Sequence, residues 1–266
     1  MLNKLKKAAL VGSGLLVLAG CSSESADDAS VNSEAVGAET LVVGLDDTFA
    51  PMGFRDENNE IVGFDVDLAK AVGERIGAEI VFQPIDWAMK ETELDSGNID
   101  MIWNGYAITP ERAEKVLLSE PYIVDAQSII VLKDSAIETK ADLEGKLVST
   151  QQSSSSVDKI MEDESGIFGK LGGDLVLYPS NNNAFSDLES GRVDAIVVGE
   201  VYGRYYMKQS GKDIYRVLED NFGEDEMAVA FKKDNKELQE RVDAALAEMK
   251  EDGTFDEIYD KSFYSE

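Results

Sequence analysis

The chain has 266 residues, 43% of them apolar, which is enough for the core of one large domain or of two small ones. Its formal net charge of −28 becomes about −31 without the three lysines of the N-terminal leader, and this excludes a general binder of nucleic acid or anionic membranes. The sequence has no histidine and a single cysteine, which excludes zinc sites, Cys/His nucleophiles and histidine acid–base chemistry. We expect no metal site and no cofactor.

The N-terminus has the pattern of a secretory signal, predicted for residues 1–20. Lysines at positions 4, 6 and 7 precede an apolar run from Ala8 to Ala19 that is too short to span a membrane stably. The stretch Leu18-Ala19-Gly20-Cys21 resembles the lipobox of bacterial lipoproteins, in which the cysteine is lipidated, here with palmitate as the expected acyl group. A buried structural thiol is the alternative for Cys21. Residues 21–39 have almost no large apolar side chain, so we predict a disordered tether.

Strands and helices alternate in the next part of the chain. Leu41–Leu45 is a short apolar strand, and a hairpin turn is predicted at Asp56–Glu60. A helix opens at Phe64, follows a 3.6-residue apolar period and stops at Gly77. Ile80–Phe82 is the next strand. This rhythm is typical of an α/β sheet.

A nine-residue segment occurs twice. Leu94–Ile102 recurs 94 residues later as Leu188–Ile196, with five of nine positions identical. In each copy Ser-Gly ends a helix, and an apolar run around Asp100 or Asp194 begins a buried strand. Two such units predict two α/β lobes, and a pocket between lobes is a common arrangement for binding.

Two extended segments are predicted to cross between the lobes. Tyr122–Leu132 is longer than a usual strand, and the chain crosses back near Glu224–Ala230. We therefore assign residues 40–123 with 227–266 to the first lobe and residues 124–226 to the second. An amphipathic helix at Leu238–Met249 closes on the first lobe.

Arg112 is the strongest candidate for a functional side chain. It follows Thr109-Pro110, a hydroxyl N-cap with proline at the first helical position. The helix dipole disfavours a cation there, so we expect a favourable contact to compensate, such as a carboxylate ligand that the guanidinium binds in bidentate fashion. The alternative is a surface ion pair with Glu111 or Glu114, which contributes little.

Three further features are candidates on weaker grounds. Phe49 and Trp87 each lie just beyond a strand end, where ligands bind in open α/β sheets, although core packing is the commoner role of such rings. The polar run Ser153–Ser156 lies between a strand and a helix, and could be a flexible linker or an anion-binding cradle.

Several motifs together resemble the family 3 extracellular solute-binding proteins, the polar amino-acid receptors of ABC importers, over about residues 40–266. The motifs are Asp46-x-x-Phe49-x-Pro51-x-x-Phe54, Gly63-Phe64-Asp65-x-Asp67-Leu68, Ile99-Asp100, Thr109-x-x-Arg112, Leu143-x-Gly145-Lys146 and Asp252-Gly253-Thr254-Phe255. The resemblance implies an α/β type II periplasmic-binding-protein fold, in which two lobes joined by two crossing hinge strands close on an amino acid.

The resemblance also implies roles for individual residues. Arg112 would bind the α-carboxylate, and Asp46 would contact the ligand side chain. The other implied ligand-binding residues are Phe49 and Trp87, which flank the ligand, Gly105 and Ala107 in the first-lobe wall, and Gln151, Ser153, Ser154 and Ser155 in the second-lobe loop.

The chain departs from the family pattern at Gly199. Relatives usually place there the aspartate that binds the ligand's α-amino group, and glycine cannot do so. Glu200 is adjacent, so either it reorients, another carboxylate serves, or the ligand is unusual. The loop also has Ser153-Ser154 where Gly-Thr is usual, and Ala107 replaces a common serine or threonine.

The leading hypothesis is a monomeric, non-enzymatic receptor on the extracytoplasmic face of the cell membrane, anchored by lipid at Cys21, that delivers an amino acid to an ABC transporter permease. The acidic chain and Asp46 favour a ligand with a neutral or cationic side chain. The alternatives are a cleft enzyme of dehydratase type, and a sensor or degenerate binding module with a non-standard ligand.

Overall fold

The computed structural model describes residues 39–264; the predicted signal peptide, Cys21 and the tether to residue 38 lie outside this range. The strands are β1 Glu39–Leu45, β2 Thr48–Phe49, β3 Gly53–Arg55, β4 Ile61–Val62, β5 Ala78–Pro84, β6 Met101–Ala107, β7 Leu117–Leu118, β8 Ile123–Leu132, β9 Val148–Gln151, β10 Val176–Tyr178, β11 Ala195–Gly199 and β12 Tyr215–Phe231. The helices are α1 Phe64–Ile76, α2 Lys90–Ser96, α3 Pro110–Lys115, α4 Ser155–Met161, α5 Asn181–Glu189, α6 Glu200–Ser210, α7 Lys236–Asp252 and α8 Thr254–Phe263. Short 3-10 helices occur at Trp87–Met89, Lys140–Leu143 and Ile167–Lys170.

Most of the strands belong to one mixed sheet in the order β10-β9-β11-β8-β12-β6-β1-β5, and β7 pairs with β12. At one end β1 pairs in parallel with β5 and β6, and at the other β9 pairs in parallel with β10 and β11. Between these two parallel groups the long strands β8 and β12 run antiparallel to each other. The expected pair of α/β lobes, joined by two crossing strands, is therefore confirmed.

The buried hydrophobic residues fall into separate clusters on the two sides of this crossing. Two clusters are built from residues 41–122 and 227–255, and two others from residues 129–222. Phe49 packs against a cluster of each side, so its ring lies where the two sides meet. Helix α7 buries its apolar face: Leu238, Val242 and Met249, which lie on that face, are buried.

Local signals set the element boundaries that position the cleft. Helix α1 ends at Gly77, whose left-handed conformation (φ 74°) closes the last turn, as predicted. Both copies of the repeat form the predicted unit: α2 leaves through Gly97 to β6, and α5 leaves through Gly191 to β11. Thr109 caps α3, accepting the Arg112 N–H at 3.2 Å.

Within residues 39–264, the helices are all too short or too polar to serve as a membrane-crossing segment. The same part of the chain holds no group of three or more acidic or cysteine side chains placed to bind a metal ion.

Candidate binding site

A cavity with about 40 Å³ of free internal space lies between the two lobes, at the carboxyl ends of parallel strands from both of them. The lining residues are Asp46, Phe49, Trp87, Asn104, Gly105, Arg112, Gln127, Gln151, Ser154, Ser155, Ser156, Asn181, Val198, Gly199 and Met227.

Nine of the residues proposed from the sequence line this cavity: Asp46, Phe49, Trp87, Gly105, Arg112, Gln151, Ser154, Ser155 and Gly199. Three do not line it. Ala107 and Ser153 each contribute a backbone carbonyl to Arg112, and Glu200 points towards Ser128 and Arg204.

Arg112 is buried, with 6% of its surface exposed, and its guanidinium stands at the cavity wall. Nη1 donates to the Ala107 carbonyl at 2.9 Å and Nη2 to the Ser153 carbonyl at 3.0 Å, while the group lies 4.6 Å from the centre of the Tyr106 ring. Among the described residues no ion pair includes Arg112, since Glu111 pairs with Lys115 instead. The guanidinium therefore lies at the cavity wall without a carboxylate partner among the described residues, and it has N–H donors that these two bonds do not use.

Lys90 is a second buried cation beside Arg112 that the sequence patterns did not reveal. Its ammonium donates to the carbonyls of Trp87 at 3.2 Å and Ser153 at 3.1 Å, and Glu91 Oε2 lies 3.3 Å away. Burial, with a smaller effect of the nearby Arg112 charge, lowers the pKa of Lys90 to about 8. A signal existed: a lysine in the first turn of α2 is disfavoured by the helix dipole, as Arg112 is in α3.

The Ser153 carbonyl is the point at which the second-lobe loop meets both first-lobe cations. Ser153 has a positive φ of 55°, unusual for a residue with a side chain. This conformation accompanies a carbonyl that accepts from both Lys90 and Arg112. The loop thus contributes a main-chain oxygen here, as well as the side chains Ser154 and Ser155 in the cavity wall.

Asp46 and Gln151 join across the cleft. Gln151 Nε2 donates to Asp46 Oδ2 at 2.7 Å and to the Pro179 carbonyl at 2.9 Å, while its Oε1 accepts from Asn181. Asp46 Oδ1 accepts from the main-chain and side-chain donors of Thr48. Burial raises the pKa of Asp46, although the bonds from Thr48 and Gln151 oppose the effect. The cavity therefore has an acidic wall that bonds across the cleft, apart from its basic one.

Aromatic rings cover two sides of the cavity. Phe49 stacks on Tyr202 of α6, with ring centres 5.1 Å apart and planes 7° apart. Trp87 meets Tyr106 edge to face at 6.2 Å and is itself 6% exposed. Both rings combine core packing with cavity lining, so the two roles considered for them are not exclusive here.

The start of α4 is tied to the crossing strands by buried hydrogen bonds. Ser155 donates to Asp225 Oδ2 at 2.6 Å, and Ser156 donates to Gln127 Oε1 at 2.5 Å. Gln127 Nε2 donates to the same Asp225 oxygen at 2.9 Å, and Lys159 lies 3.2 Å from the other. The serine run is therefore ordered by strands β8 and β12 and is not a free linker.

Ser156, from the serine run considered as an anion-binding cradle, also lines the cavity, and five lining residues were not proposed from the sequence: Asn104, Gln127, Asn181, Val198 and Met227. A usable signal was available for Asn104 and Gln127, since each is a buried polar side chain within a largely apolar strand. Asn104 accepts the Asp46 N–H at 3.1 Å and so helps to hold the acidic wall.

Gly105 owes its position to a buried carboxyl. Asp65, in the first turn of α1, accepts the Gly105 N–H at 2.7 Å, and Gly105 has a φ of 58° that a larger residue would not adopt easily. A Cβ at Gly105 would also lie 2.9 Å from the Phe49 ring. Burial raises the pKa of Asp65 to about 7. The wall between Asp65 and Phe49 therefore requires glycine.

The end of β11 carries no side chain into the cleft, because Gly199 stands there. A Cβ at this position would lie only 2.4 Å from Asp125 Oδ2. Glu200, the neighbouring residue, accepts hydrogen bonds from Ser128 at 2.8 Å and Arg204 at 2.5 Å, outside the cavity.

Comparison with known proteins places these features in context. The family model of the bacterial extracellular solute-binding proteins, family 3, matches residues 41–265. The L-cystine-binding protein TcyJ of Escherichia coli (strain K12) is 30% identical over 265 residues, covering 98% of this chain and 97% of that protein.

Two solved structures are similar throughout the described fold. One is the substrate-binding protein of an ABC uptake transporter from Streptococcus pneumoniae with bound histidine, with a TM-score of 0.82 and 35% identity over 85% of this chain and 93% of that chain. The other is the ancestral amino acid-binding protein AncCDT-1, a precursor of cyclohexadienyl dehydratase, with a TM-score of 0.76 and 34% identity over 84% of this chain and 95% of that chain.

Proposed function

Since the chain belongs to the bacterial extracellular solute-binding proteins of family 3 and has their type II periplasmic-binding-protein fold, we propose that it binds an amino acid between its lobes and delivers it to an ABC transporter permease. The observation that carries the proposal is the inter-lobe cavity, in which the buried guanidinium of Arg112 faces a separate acidic wall. Such a site matches a zwitterion better than an uncharged ligand.

In the proposed complex, Arg112 binds the α-carboxylate with N–H groups that it does not use for the Ala107 and Ser153 carbonyls. The first turn of α4, at Ser154 and Ser155, faces the same cavity and adds donors of the kind that bind anions. Phe49 and the ring of Trp87 flank the ligand, and Asp46 is the contact for its side chain.

Closure of the lobes would provide the switch that the permease reads. The bonds from Lys90 and Arg112 to Ser153, and from Gln151 to Asp46, join the two sides. A ligand that touches both sides adds affinity to the closed state only, so binding shifts the population towards it.

The test begins with a melting-temperature screen against the twenty common amino acids and L-cystine, followed by calorimetry on those that stabilise the protein. We expect at least one amino acid to bind, and Arg112→Ala to abolish that binding while the variant still unfolds cooperatively. Lys115→Ala, which removes an exposed cation from the same helix, should bind normally. Unchanged affinity in Arg112→Ala would refute the carboxylate assignment, and no shift with any amino acid would favour a sensor or degenerate module.

We further propose that the mature protein is a monomer held at the extracytoplasmic face of the cell membrane by palmitate-bearing lipid on Cys21, with residues 21–39 as its tether. The lipobox-like sequence supports this, and it lies outside the described residues. Cys21→Ser should prevent palmitate labelling and move the protein from the membrane fraction to the soluble fraction. The proposed lobe limits, 40–123 with 227–266 and 124–226, have the support of the separate hydrophobic clusters.

A dehydratase is the competing function, because AncCDT-1, itself an amino acid-binding protein, is a precursor of cyclohexadienyl dehydratase. Such an enzyme needs a positioned acid in its cleft, and a buried carboxyl such as Asp46 could serve. Turnover of prephenate or a related cyclohexadienyl acid separates the two functions, and we expect none.

A further inference from the structure

The absence of a side chain at Gly199 leaves space that another carboxylate fills. Gly199 ends β11 and lines the cavity. Asp125, on the crossing strand β8, places Oδ2 where the first side-chain atom of any other residue 199 would lie, 2.4 Å from an ideal Cβ. Phe49 and Met227 line the cavity and also, together with Asp125, a smaller space next to it. Asp125 Oδ2 therefore lies directly behind Gly199, a residue of the cavity wall.

The Asp125 carboxyl group is held in place, but no cation is paired with it among residues 39–264. Oδ1 accepts the Val201 N–H at 3.1 Å, which ties the group to the first turn of α6. The residue is 5% exposed, and no ion pair within residues 39–264 includes it. Its acidic neighbours have cations of their own: Asp225 lies beside Lys159, and Glu200 beside Arg204. A buried carboxylate without a cation is costly, so the site favours a positive partner.

We propose that Asp125 binds the α-ammonium of the ligand, in place of a side chain at position 199. The inference rests on the proposed function, since it requires an amino acid in the cavity. Arg112 on the first-lobe wall and Asp125 behind Gly199 then bind the two charges of one zwitterion. Asp46 then contacts the ligand side chain and not the α-ammonium.

The two positions cannot both carry a carboxylate in this geometry. An aspartate at position 199 would place its Cβ against Asp125 Oδ2 and add a like charge. Gly199→Asp alone is therefore expected to weaken binding. The carboxylate can instead be moved by changing both residues, with Asp125→Gly making room for the new side chain.

The experiment measures affinities by calorimetry for the amino acids that bind the wild type and for their α-deamino analogues. For L-histidine the analogue is 3-(imidazol-4-yl)propanoate, and for L-arginine it is 5-guanidinopentanoate. Asp125→Asn keeps the size of the side chain. It should lower the affinity for the amino acids by at least about 30-fold, while the affinity for the analogues should change by less than about 3-fold. Glu224→Gln removes an exposed acid from the neighbouring strand and should change neither.

The charge-moving variant gives the stricter result. Gly199→Asp should bind more weakly than the wild type, and Asp125→Gly with Gly199→Asp should return to within about 10-fold of it. A loss of amino-acid affinity that extends equally to the deamino analogues would overturn the assignment, because a merely structural role affects both ligands. So would wild-type affinity in Asp125→Asn.

Calorimetry on the wild type tests the proposal without relying on a variant that must fold. Burial raises the pKa of Asp125 to about 7, with smaller contributions from Glu200 and Asp225, while the N–H groups of Val201 and Ala126 oppose the rise. Tyr259 of α8 also faces the group. An arriving ammonium lowers this pKa, so binding near neutral pH should release protons, seen as a buffer-dependent binding enthalpy. Proton uptake, or no transfer, contradicts the proposal.

The failure of this inference is distinct from failure of the proposed function. If the wild type binds none of the amino acids, both the proposed function and the role of Asp125 are refuted. If the wild type and Asp125→Asn both bind the amino acids and Arg112→Ala does not, the proposed function is retained and the role of Asp125 is rejected.

Discussion

Asp125 makes the stability of the unliganded protein depend on pH in a direction opposite to that of an ordinary paired carboxylate. Its pKa is about 7 in the folded chain, against 3.8 for an unperturbed aspartate. Between these values the folded state binds more protons than the unfolded state, so stability falls as pH rises. The contribution is fully present below the unfolded pKa and is lost as pH rises through the folded one.

The size of the effect follows from the two pKa values. A separation of about three pH units corresponds to about 4 kcal/mol in the free energy of unfolding when the group is fully ionised. From pH 5 to pH 8 the part that is lost is about 2 to 3 kcal/mol. Asp125→Asn cannot ionise and escapes this loss. Relative to the wild type, the variant should therefore gain about 2 to 3 kcal/mol over that interval.

Urea unfolding of both proteins at several pH values, without ligand, gives the comparison. The difference between the two isolates Asp125 from the other titrating groups, including Asp65, whose pKa is raised in the same way. Glu224→Gln removes an exposed carboxylate from the neighbouring strand and serves as the control. A difference between Asp125→Asn and the wild type that stays constant with pH would refute the reasoning.

Two further predictions concern the groups that shape the cleft. Lys90→Met removes a cation that bonds to the Ser153 carbonyl, so a bound amino acid should dissociate about 10-fold faster in stopped-flow fluorescence, whereas the exposed Lys115→Met should not change the rate. Asp65→Ala leaves the Gly105 N–H without its acceptor, so urea unfolding should show a loss of about 1 to 3 kcal/mol and calorimetry a weaker ligand; unchanged stability and affinity would show that Asp65 does not hold the wall.

Local patterns were sufficient to predict much of the scaffold. Helix α1 carries its own apolar period and its own terminator, Gly77, and both copies of the repeat carry a helix exit and a strand start. Such signals act between residues a few positions apart, so one sequence contains them in full. The family resemblance added the meeting of Arg112 with the serine loop, which no local pattern contains.

The sequence was less informative about the crossing strands. Strand β12 begins at Tyr215, well before the predicted crossing at Glu224. Its first part was not predicted because the middle of the strand is acidic and does not alternate like a half-buried strand. Its pairing with β8 is what makes it a strand. Polar segments that gain order from a distant partner cannot be recognised from their own composition.

The relation between Gly199 and Asp125 shows the same limit at the site. The sequence identified the missing carboxylate but did not show which residue would replace it, since several aspartates were available. The replacement lies on another strand, and only the folded chain brings it against the glycine. Lys90 was missed although its place in the first turn of α2 is a local signal, while its contact with Ser153 of the other lobe has no local signal.

The pairing of β8 with β12 is interrupted between Val217 and Asn221 and again before Glu224, next to the facing pair Asp125 and Asp225. An interrupted ladder bends more easily than a continuous one, so a pivot here would rotate the lobes about an axis beside Asp125. Groups near such an axis move little when the lobes close. Asp125 would thus meet a ligand in nearly its final geometry, while the bonds from Lys90 and Arg112 to Ser153, which cross between the lobes, would form only on closure.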